Sequence, residues 1–160
     1  MSVSLRAFED YYALDADTWE FQALTRARVV WSSEDGFGEM VTELIDQILR
    51  RPRDRASTLA DVAGMRALMR REHPPWSFWD MKRSQGGLID CEFAAQALQL
   101  VSAAKGGPLR TGTVPALSAL TEAGCVAGDV CAALGGARTL RQGVGPPLRW
   151  LARGEPRAGA

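Results

Sequence analysis

The stretch G-G-L-I-D-C-E-F-A-A-Q-A-L-Q-L-V-S-A, residues 86–103, decides the fold class. Its apolar residues recur at three- and four-residue spacing, which predicts a long helix that begins after Gly87. The same spacing recurs on both sides of it, in segments that follow polar capping residues or precede prolines. The sequence therefore predicts an all-α domain of six to seven helices over residues 1–142. Residues 143–160, rich in Gly, Pro and Arg, are predicted to form a loosely docked or disordered tail.

Composition indicates one ordinary globular domain. The chain has 160 residues, of which 46% are apolar and 24% charged, so intrinsic disorder is not the expectation. Nineteen basic and nineteen acidic residues cancel, which disfavours nucleic-acid binding through global charge. The charges are segregated, however: residues 1–49 carry −7, residues 50–83 carry +5, residues 84–137 carry −2, and residues 138–160 carry +4.

The cysteine and histidine content and the hydropathy pattern argue against several other classes of protein. Three cysteines without C-x-x-C spacing and a single histidine, His73, predict neither a disulfide scaffold nor a zinc site. No apolar run approaches the roughly 18 residues of a membrane span. We expect a reduced, cytoplasmic protein that contacts no membrane.

A first candidate site lies in residues 17–31, where an Asp-x-x-Glu capping box predicts a helix. This segment carries Trp19, Glu20, Arg26 and Arg28. On a helix, Arg26 and Arg28 stand about 200° apart, so one could bind an anion while the other pairs with Glu20 or a neighbouring helix. The alternative is structural, with the tryptophan in the core and both arginines in salt bridges between helices.

A second candidate site is R-R-P-R-D-R, residues 50–55, which surrounds the helix-breaking Pro52. Guanidinium groups suit oxyanions, so Arg50, Arg51 and Arg53 are candidates for contact with an anion or an acidic partner. The alternative is a solvated loop whose arginines stabilise the end of the preceding helix.

The third candidate site runs from Lys82 through the Gly86-Gly87 turn to Asp90 and Glu92 at the start of the long helix. Glycines let a backbone approach a ligand closely, and the first N–H groups of a helix favour anions. The two carboxylates would suit a metal-bound nucleotide or a basic group. Their structural alternative is to stabilise the positive end of the helix dipole.

At these same three segments the sequence resembles a known family, the bifunctional glutamine synthetase adenylyltransferases. The resemblance rests on S-L-R-A-F-E-D-Y-Y-A-L-D-A-D-T-W-E-F-Q-A-L-T-R-A-R, I-L-R-R-P-R-D, D-V-A-G-M-R-A-L-M and W-D-M-K-R-S-Q-G-G-L-I-D-C-E-F-A-A-Q. These motifs lie within residues 4–103, in the family's order. The segment A-D-T-W-E-F-Q-A-L and the aspartate of G-G-L-I-D-C-E-F resemble the C-terminal, adenylylating half.

The resemblance implies a helical domain that follows a nucleotidyltransferase domain of the polymerase-β type. In the intact enzyme, ATP would supply an AMP group, in the presence of Mg²⁺, to a tyrosine of glutamine synthetase. A PII signal protein would be a second partner. The family's metal-binding motif, G-S-x-x-D-x-D, does not occur in these 160 residues. The expectation is therefore a domain without the chemical centre, inactive alone, whose candidate residues face the nucleotidyltransferase cleft or brace the two domains.

Two other functions remain open at this level. One is a non-catalytic module that binds glutamine synthetase or PII through its charged surfaces. The other is the related helical domain of an enzyme that uridylylates PII, against which the T-W-E-F-Q-A-L-T-R-A-R run argues.

Overall fold

Helices make up most of the residues that the computed structural model describes, 3–77 and 80–126. Six are found there: α1 (Leu5–Leu14), α2 (Thr18–Leu24), α3 (Phe37–Leu49), α4 (Arg55–Glu72), α5 (Leu88–Ala103) and α6 (Thr113–Glu122). The all-α prediction is confirmed. No helix in this part of the chain is both long and apolar enough to cross a membrane. The expected seventh helix near Asp129 and the tail over residues 143–160 lie outside the described residues.

Helix α5 is the centre of the domain, because α2, α4 and α6 all pack against it. Helix α3 packs against α1 and α2 on one side. The larger hydrophobic cluster joins α2, α3 and α5 through Leu24, Ile48, Leu49 and Leu100. Aromatic rings border this cluster, and the ring centroids of Tyr12 and Phe21 lie 5.2 Å apart in an edge-to-face arrangement.

A second cluster holds α6 against the other side of α5. It consists of the buried Ala95, Ala116 and Leu117, with Leu98 packed at its edge. Two of its three buried members are alanines, so little apolar area is available there, and burial stabilises in proportion to that area. Helix α6 also buries Leu120, at 0% exposure, outside this cluster.

The predicted helix starts are largely correct. Ser4 caps α1 by accepting a hydrogen bond from Ala7 N at 3.2 Å, and Asp17 starts α2 through the expected capping box with Glu20. The start of α4 was predicted three to four residues late, with Ser57 or Thr58 as its cap. Asp54 caps that helix by accepting from Ser57 N at 2.7 Å, because an aspartate just outside a first turn satisfies exposed amides as a serine or threonine would.

Helix α2 ends at Leu24, so the prediction that it continues through residue 31 was wrong. The Thr25 hydroxyl donates to Gln22 O at 2.7 Å, and the amides of Arg26 and Ala27 bond carbonyls three residues back. These bonds tighten the last turn and end the helix. Arg26 lies in that turn and Arg28 follows it in irregular chain, so the 200° relation expected on a helix does not apply.

The buried face of α4 also differs from the stripe that apolar spacing predicts, which consists of Leu59, Val62, Met65, Leu68 and Met69. Leu68 is 42% exposed, whereas Arg66 is only 8% exposed and lies one turn beyond the buried Val62. Residues four apart share one face of a helix. An arginine therefore occupies a core-facing position of α4, and its partners define the candidate site.

Candidate functional site

The turn before α5, residues 80–87, is built around a buried aspartate. Asp80 is 6% exposed, and its carboxylate accepts from the amides of Trp76 at 3.4 Å and Arg83 at 3.2 Å. The Ser84 hydroxyl donates to the Asp80 carbonyl at 2.7 Å. Backbone and hydroxyl donors thus surround this residue on both sides, which fixes the path of the turn.

The turn packs directly onto the first residues of α5. The amide of Leu88 donates to Met81 O and that of Ile89 to Lys82 O, both at 3.2 Å. A Cβ atom on Gly87 would lie 2.6 Å from Ser84 O and 2.8 Å from Met81 O. Only glycine allows this close approach of backbone to backbone. Residues 80–87 are called the Gly-Gly turn below.

Asp90 fastens the same turn from the first turn of α5. Its carboxylate pairs with the Nε of the buried Arg66, lies 3.5 Å from Arg70 Nη2, and accepts from Gly86 N at 2.6 Å. Arg66 Nη2 also donates to Arg83 O at 3.2 Å. One arginine of α4 therefore holds both the helix start and the backbone of the Gly-Gly turn.

Two cations of the Gly-Gly turn and one of the neighbouring α4 are called the basic edge: Lys82, Arg83 and Arg70. All three are exposed. Trp76, 62% exposed, precedes the Gly-Gly turn. The Lys82 backbone is anchored while its ammonium group reaches solvent, an arrangement suited to electrostatic contact with an anion.

The other two carboxylates predicted for the site are engaged in internal contacts. Glu92 forms an ion pair with Arg26 at 3.4 Å, which joins the end of α2 to α5. Glu20 accepts from Asp17 N at 2.9 Å and from the Tyr11 hydroxyl. The hydrogen bond to Glu20, with smaller contributions from desolvation and charge, raises the pKa of Tyr11 to about 12.

Trp19 and Arg28 do not join the core. Trp19 is 49% exposed and Arg28 is exposed. Of the structural alternative, which places the tryptophan in the core and both arginines in salt bridges between helices, the part that holds is the salt bridge of Arg26. The sequence-predicted cluster thus divides in two: Asp90, Glu92, Glu20 and Arg26 hold helices together, whereas Lys82, Trp19 and Arg28 point outward.

Arg50 and Arg53 donate hydrogen bonds at the C-terminal end of α3. Arg50 donates to both oxygens of Asp46 and to Ala103 O and Gly107 O, at 2.6 to 3.2 Å. Arg53 donates to Leu49 O at 2.8 Å and to Ile48 O at 3.2 Å, and its guanidinium lies 4.1 Å from the centre of the Phe21 ring.

Burial, followed by the charge of Arg51, lowers the pKa of Arg53. Arg51 itself lies 3.4 Å from Glu9 and is about one-third exposed. Contact of these three arginines with an anion or a partner stays a prediction. Arg51 is better placed for such a contact than Arg50 or Arg53.

The described residues do not fit a magnesium site. No group of three or more His, Cys, Asp or Glu side chains within residues 3–77 and 80–126 is arranged to hold a metal ion. We therefore derive no chemical step through a metal from these residues.

Comparison with known proteins identifies the family of this chain. A family model described as glutamate-ammonia ligase adenylyltransferase matches residues 1–56, and one described as GlnD PII-uridylyltransferase matches residues 61–145. A relative from Caulobacter vibrioides, named bifunctional glutamine synthetase adenylyltransferase/adenylyl-removing enzyme, is 55% identical over 124 residues, 78% of this chain and 13% of its own length. The chain belongs to the glutamine synthetase adenylyltransferase family.

Further adenylyltransferases of the same name support the assignment. The one from Bradyrhizobium diazoefficiens is 49% identical over 100 residues, 62% of this chain and 10% of its own length. That from Rhizobium meliloti is 42% identical over 123 residues, 75% of this chain and 12% of its own length. The chain thus spans only about a tenth to an eighth of these relatives. No solved structure matches it.

Sequence reasoning missed two buried polar groups of this chain. Arg66 carries a signal, since it follows Thr58 and Val62 at helical spacing on the buried face of α4. Gln99, 2% exposed, accepts from Arg110 N at 2.6 Å and thereby fastens the chain that leads to α6. The apolar spacing of α5 predicts that Gln99 projects away from the core. Its partner Arg110 lies 11 residues away, beyond the reach of a helical pattern.

Proposed function

We propose that this chain is the helical domain that follows the adenylylating nucleotidyltransferase domain of a glutamine synthetase adenylyltransferase. In that role the domain would serve a cytoplasmic enzyme that transfers AMP from ATP to a tyrosine of glutamine synthetase. The observation that carries the proposal is the anchored Gly-Gly turn, which exposes Lys82 within the W-D-M-K-R-S-Q-G-G-L-I-D-C-E-F motif.

The carboxylates of the motif have a bracing role in this proposal. Asp90 is engaged with Arg66, Arg70 and Gly86 N. A carboxylate so paired offsets one of the two arginine charges and fixes the backbone. The exposed Lys82 and Arg83 are the groups proposed to meet an external anion. The ligand chemistry expected at the basic edge is a phosphate chain, such as that of ATP held by the neighbouring domain.

What this chain contributes to the reaction is position and charge. A lysine on a rigid backbone costs little ordering entropy when it meets a phosphate oxygen, and its charge stabilises charge that develops on the leaving pyrophosphate. Magnesium chemistry would belong to the nucleotidyltransferase domain, which carries the family's aspartate motif.

Substitution of Lys82 in the intact enzyme tests the proposal. We expect Lys82→Ala to lower kcat/KM for ATP at least tenfold without a change in melting temperature, because the side chain is exposed. The chain has only one other lysine, the exposed Lys105 after α5, and Lys105→Ala is the matched control. Equal kinetics for wild type and both variants would contradict a phosphate-facing role for the basic edge.

The isolated chain supplies a second test. With ATP, Mg²⁺ and glutamine synthetase, we expect no transfer of labelled AMP. Robust turnover by the isolated chain would show that the chemistry lies within these 160 residues.

The second candidate function is a non-catalytic module that binds glutamine synthetase or PII. It is favoured by the segregation of charge between residues 1–49 and 50–83. Titration of the chain with each partner at about 50 mM and 500 mM salt distinguishes it, since electrostatic association weakens steeply with ionic strength. Absence of salt-sensitive binding would remove this candidate.

The match of residues 61–145 to a uridylyltransferase model supports a third candidate, a domain that serves UMP transfer to PII. Transfer assays of the intact enzyme with ATP or UTP, and with glutamine synthetase or PII as acceptor, separate it from the main proposal.

A further inference from the structure

An open groove lies far in sequence from the basic edge, between residues 29–36 and the first three turns of α3. It encloses about 790 Å³. Five carboxylates line it, and none of its lining residues is basic; the carboxylates are Glu34, Asp35, Glu39, Glu43 and Asp46. Asp46 pairs with Arg50 at one end of the groove. The remaining four give it a strongly negative potential.

The irregular chain that lines the groove alongside α3 also carries apolar side chains. Val30 is 84% exposed and Trp31 is 79% exposed, and both lie in irregular chain that runs alongside α3. A Cβ atom on Gly38 would lie 3.4 Å from Val29 Cγ1, so the small residue at the start of α3 lets this chain approach the helix. Adjacent exposed apolar side chains beside a helix are typical of a surface that another segment covers.

The complementary segment is present in the same chain. Residues 138–153 contain four arginines and no acidic residue, and they end in L-R-W-L-A-R, residues 148–153. Apolar side chains alternate there with Arg149 and Arg153. Residue 148 is 22 positions beyond the last described residue, which allows a span of roughly 70 Å at about 3.3 Å per residue. That exceeds the diameter of a domain of this size.

We propose that residues 148–153 dock intramolecularly in the groove between residues 29–36 and α3. Trp150 and its apolar neighbours would cover Val30 and Trp31, while Arg149 and Arg153 face the carboxylates of Glu39 and Glu43. Apolar burial supplies most of the stabilisation, because exposed ion pairs contribute only about 0–1 kcal/mol each. The charges set the specificity and the orientation. This inference is independent of the proposed function.

Hydrogen–deuterium exchange on the full chain tests the docking. We expect amides of residues 29–46 to exchange at least fivefold faster in the double variant Arg149→Glu/Arg153→Glu than in wild type, because repulsion releases the segment. The matched control is Arg55→Glu/Arg110→Glu, which changes net charge equally at two exposed sites elsewhere and should leave these amides unchanged.

Swapping the charges between the groove and the segment gives the decisive comparison. Adding Glu39→Lys/Glu43→Lys to the Arg149→Glu/Arg153→Glu variant should restore slow exchange, whereas Glu39→Lys/Glu43→Lys alone should not. Unchanged exchange in the arginine variant, or failure of the fourfold variant to recover, would overturn the proposal. Protection that grows with protein concentration would assign the groove to a second copy and overturn intramolecular docking.

Discussion

Gly87 occupies a position that no other residue can fill without moving the Gly-Gly turn. Its φ is −78°, so the restriction is not conformational. It comes from three carbonyl oxygens, those of Met81, Lys82 and Ser84, which would lie 2.6 to 2.9 Å from a Cβ atom. Backbone atoms cannot yield as the end of a flexible side chain can.

We predict that Gly87→Ala lowers the free energy of unfolding by about 1–3 kcal/mol, the usual range for forced overpacking. Urea unfolding of both proteins measures this, with unchanged m-values as the check that only stability differs. Gly64→Ala is the control, because nothing lies within 4 Å of its new methyl group in the middle of α4. That variant should be more stable by about 0.5–1 kcal/mol; destabilisation by both would refute the steric explanation.

Tyr11 and Glu20 predict a second effect at the scale of single residues. The hydrogen bond to Glu20 is the largest cause of a Tyr11 pKa of about 12, against an ordinary value of 10. A raised folded-state pKa means that the bond stabilises the fold fully below pH 10 and loses its effect as pH rises from 10 to 12.

Glu20→Gln should return the Tyr11 pKa toward 10, since the charge is removed while glutamine can still serve in the capping box. NMR titration of the tyrosine Cζ resonances measures it. Tyr12 is the internal comparison, because desolvation is the first cause of its raised pKa and its value should move less. A Tyr11 titration that is the same in both proteins would show that the bond is absent in solution.

At the scale of elements, the contact between α4 and α5 depends on the pair Arg66–Asp90. The side chains of this pair are only 10% and 20% exposed. Removal of one partner leaves a poorly solvated charge behind, which costs more than the loss of an exposed pair.

We predict a coupling free energy of about 1–3 kcal/mol from a double-mutant cycle of Arg66→Ala and Asp90→Ala. The cycle of Arg71→Ala and Glu72→Ala is the control, with side chains 75% and 57% exposed and an expected coupling below about 0.5 kcal/mol. Thermal or urea unfolding of wild type and the six variants provides both values. A coupling near zero for the first cycle would mean that Asp90 is available for a ligand.

Sequence patterns predicted the elements well and the polar contacts between them poorly. Helix α5 followed from its periodicity, because apolar spacing along one segment is a local property. The early end of α2 depends on the Thr25 hydroxyl and on irregular chain that packs against α3. Helix propensity along the segment does not predict either contact. The partners of Asp90 lie 20 and 24 residues away on α4, so only the fold brings them together.

At the scale of the whole molecule, α5 is the one helix shared by both hydrophobic clusters. Ile48, with 0% exposure, belongs to the cluster that joins α2, α3 and α5. Leu117, with 2% exposure, belongs to the alanine-rich contact that holds α6. Loss of the first cluster removes the support of α5 itself, whereas loss of the second removes only the partner of α6.

We therefore predict different exchange patterns for two matched core truncations. Ile48→Ala should lower the protection of slowly exchanging amides in α2, α3 and α5 together, by about 2–5 kcal/mol, because a cavity forms in the shared core. Leu117→Ala should lower protection chiefly in α6, which then opens while the remainder stays folded. Native-state hydrogen exchange resolved by helix distinguishes the two. Equal loss in α1–α3 from both variants would make the domain a single cooperative unit and assign α6 to its core.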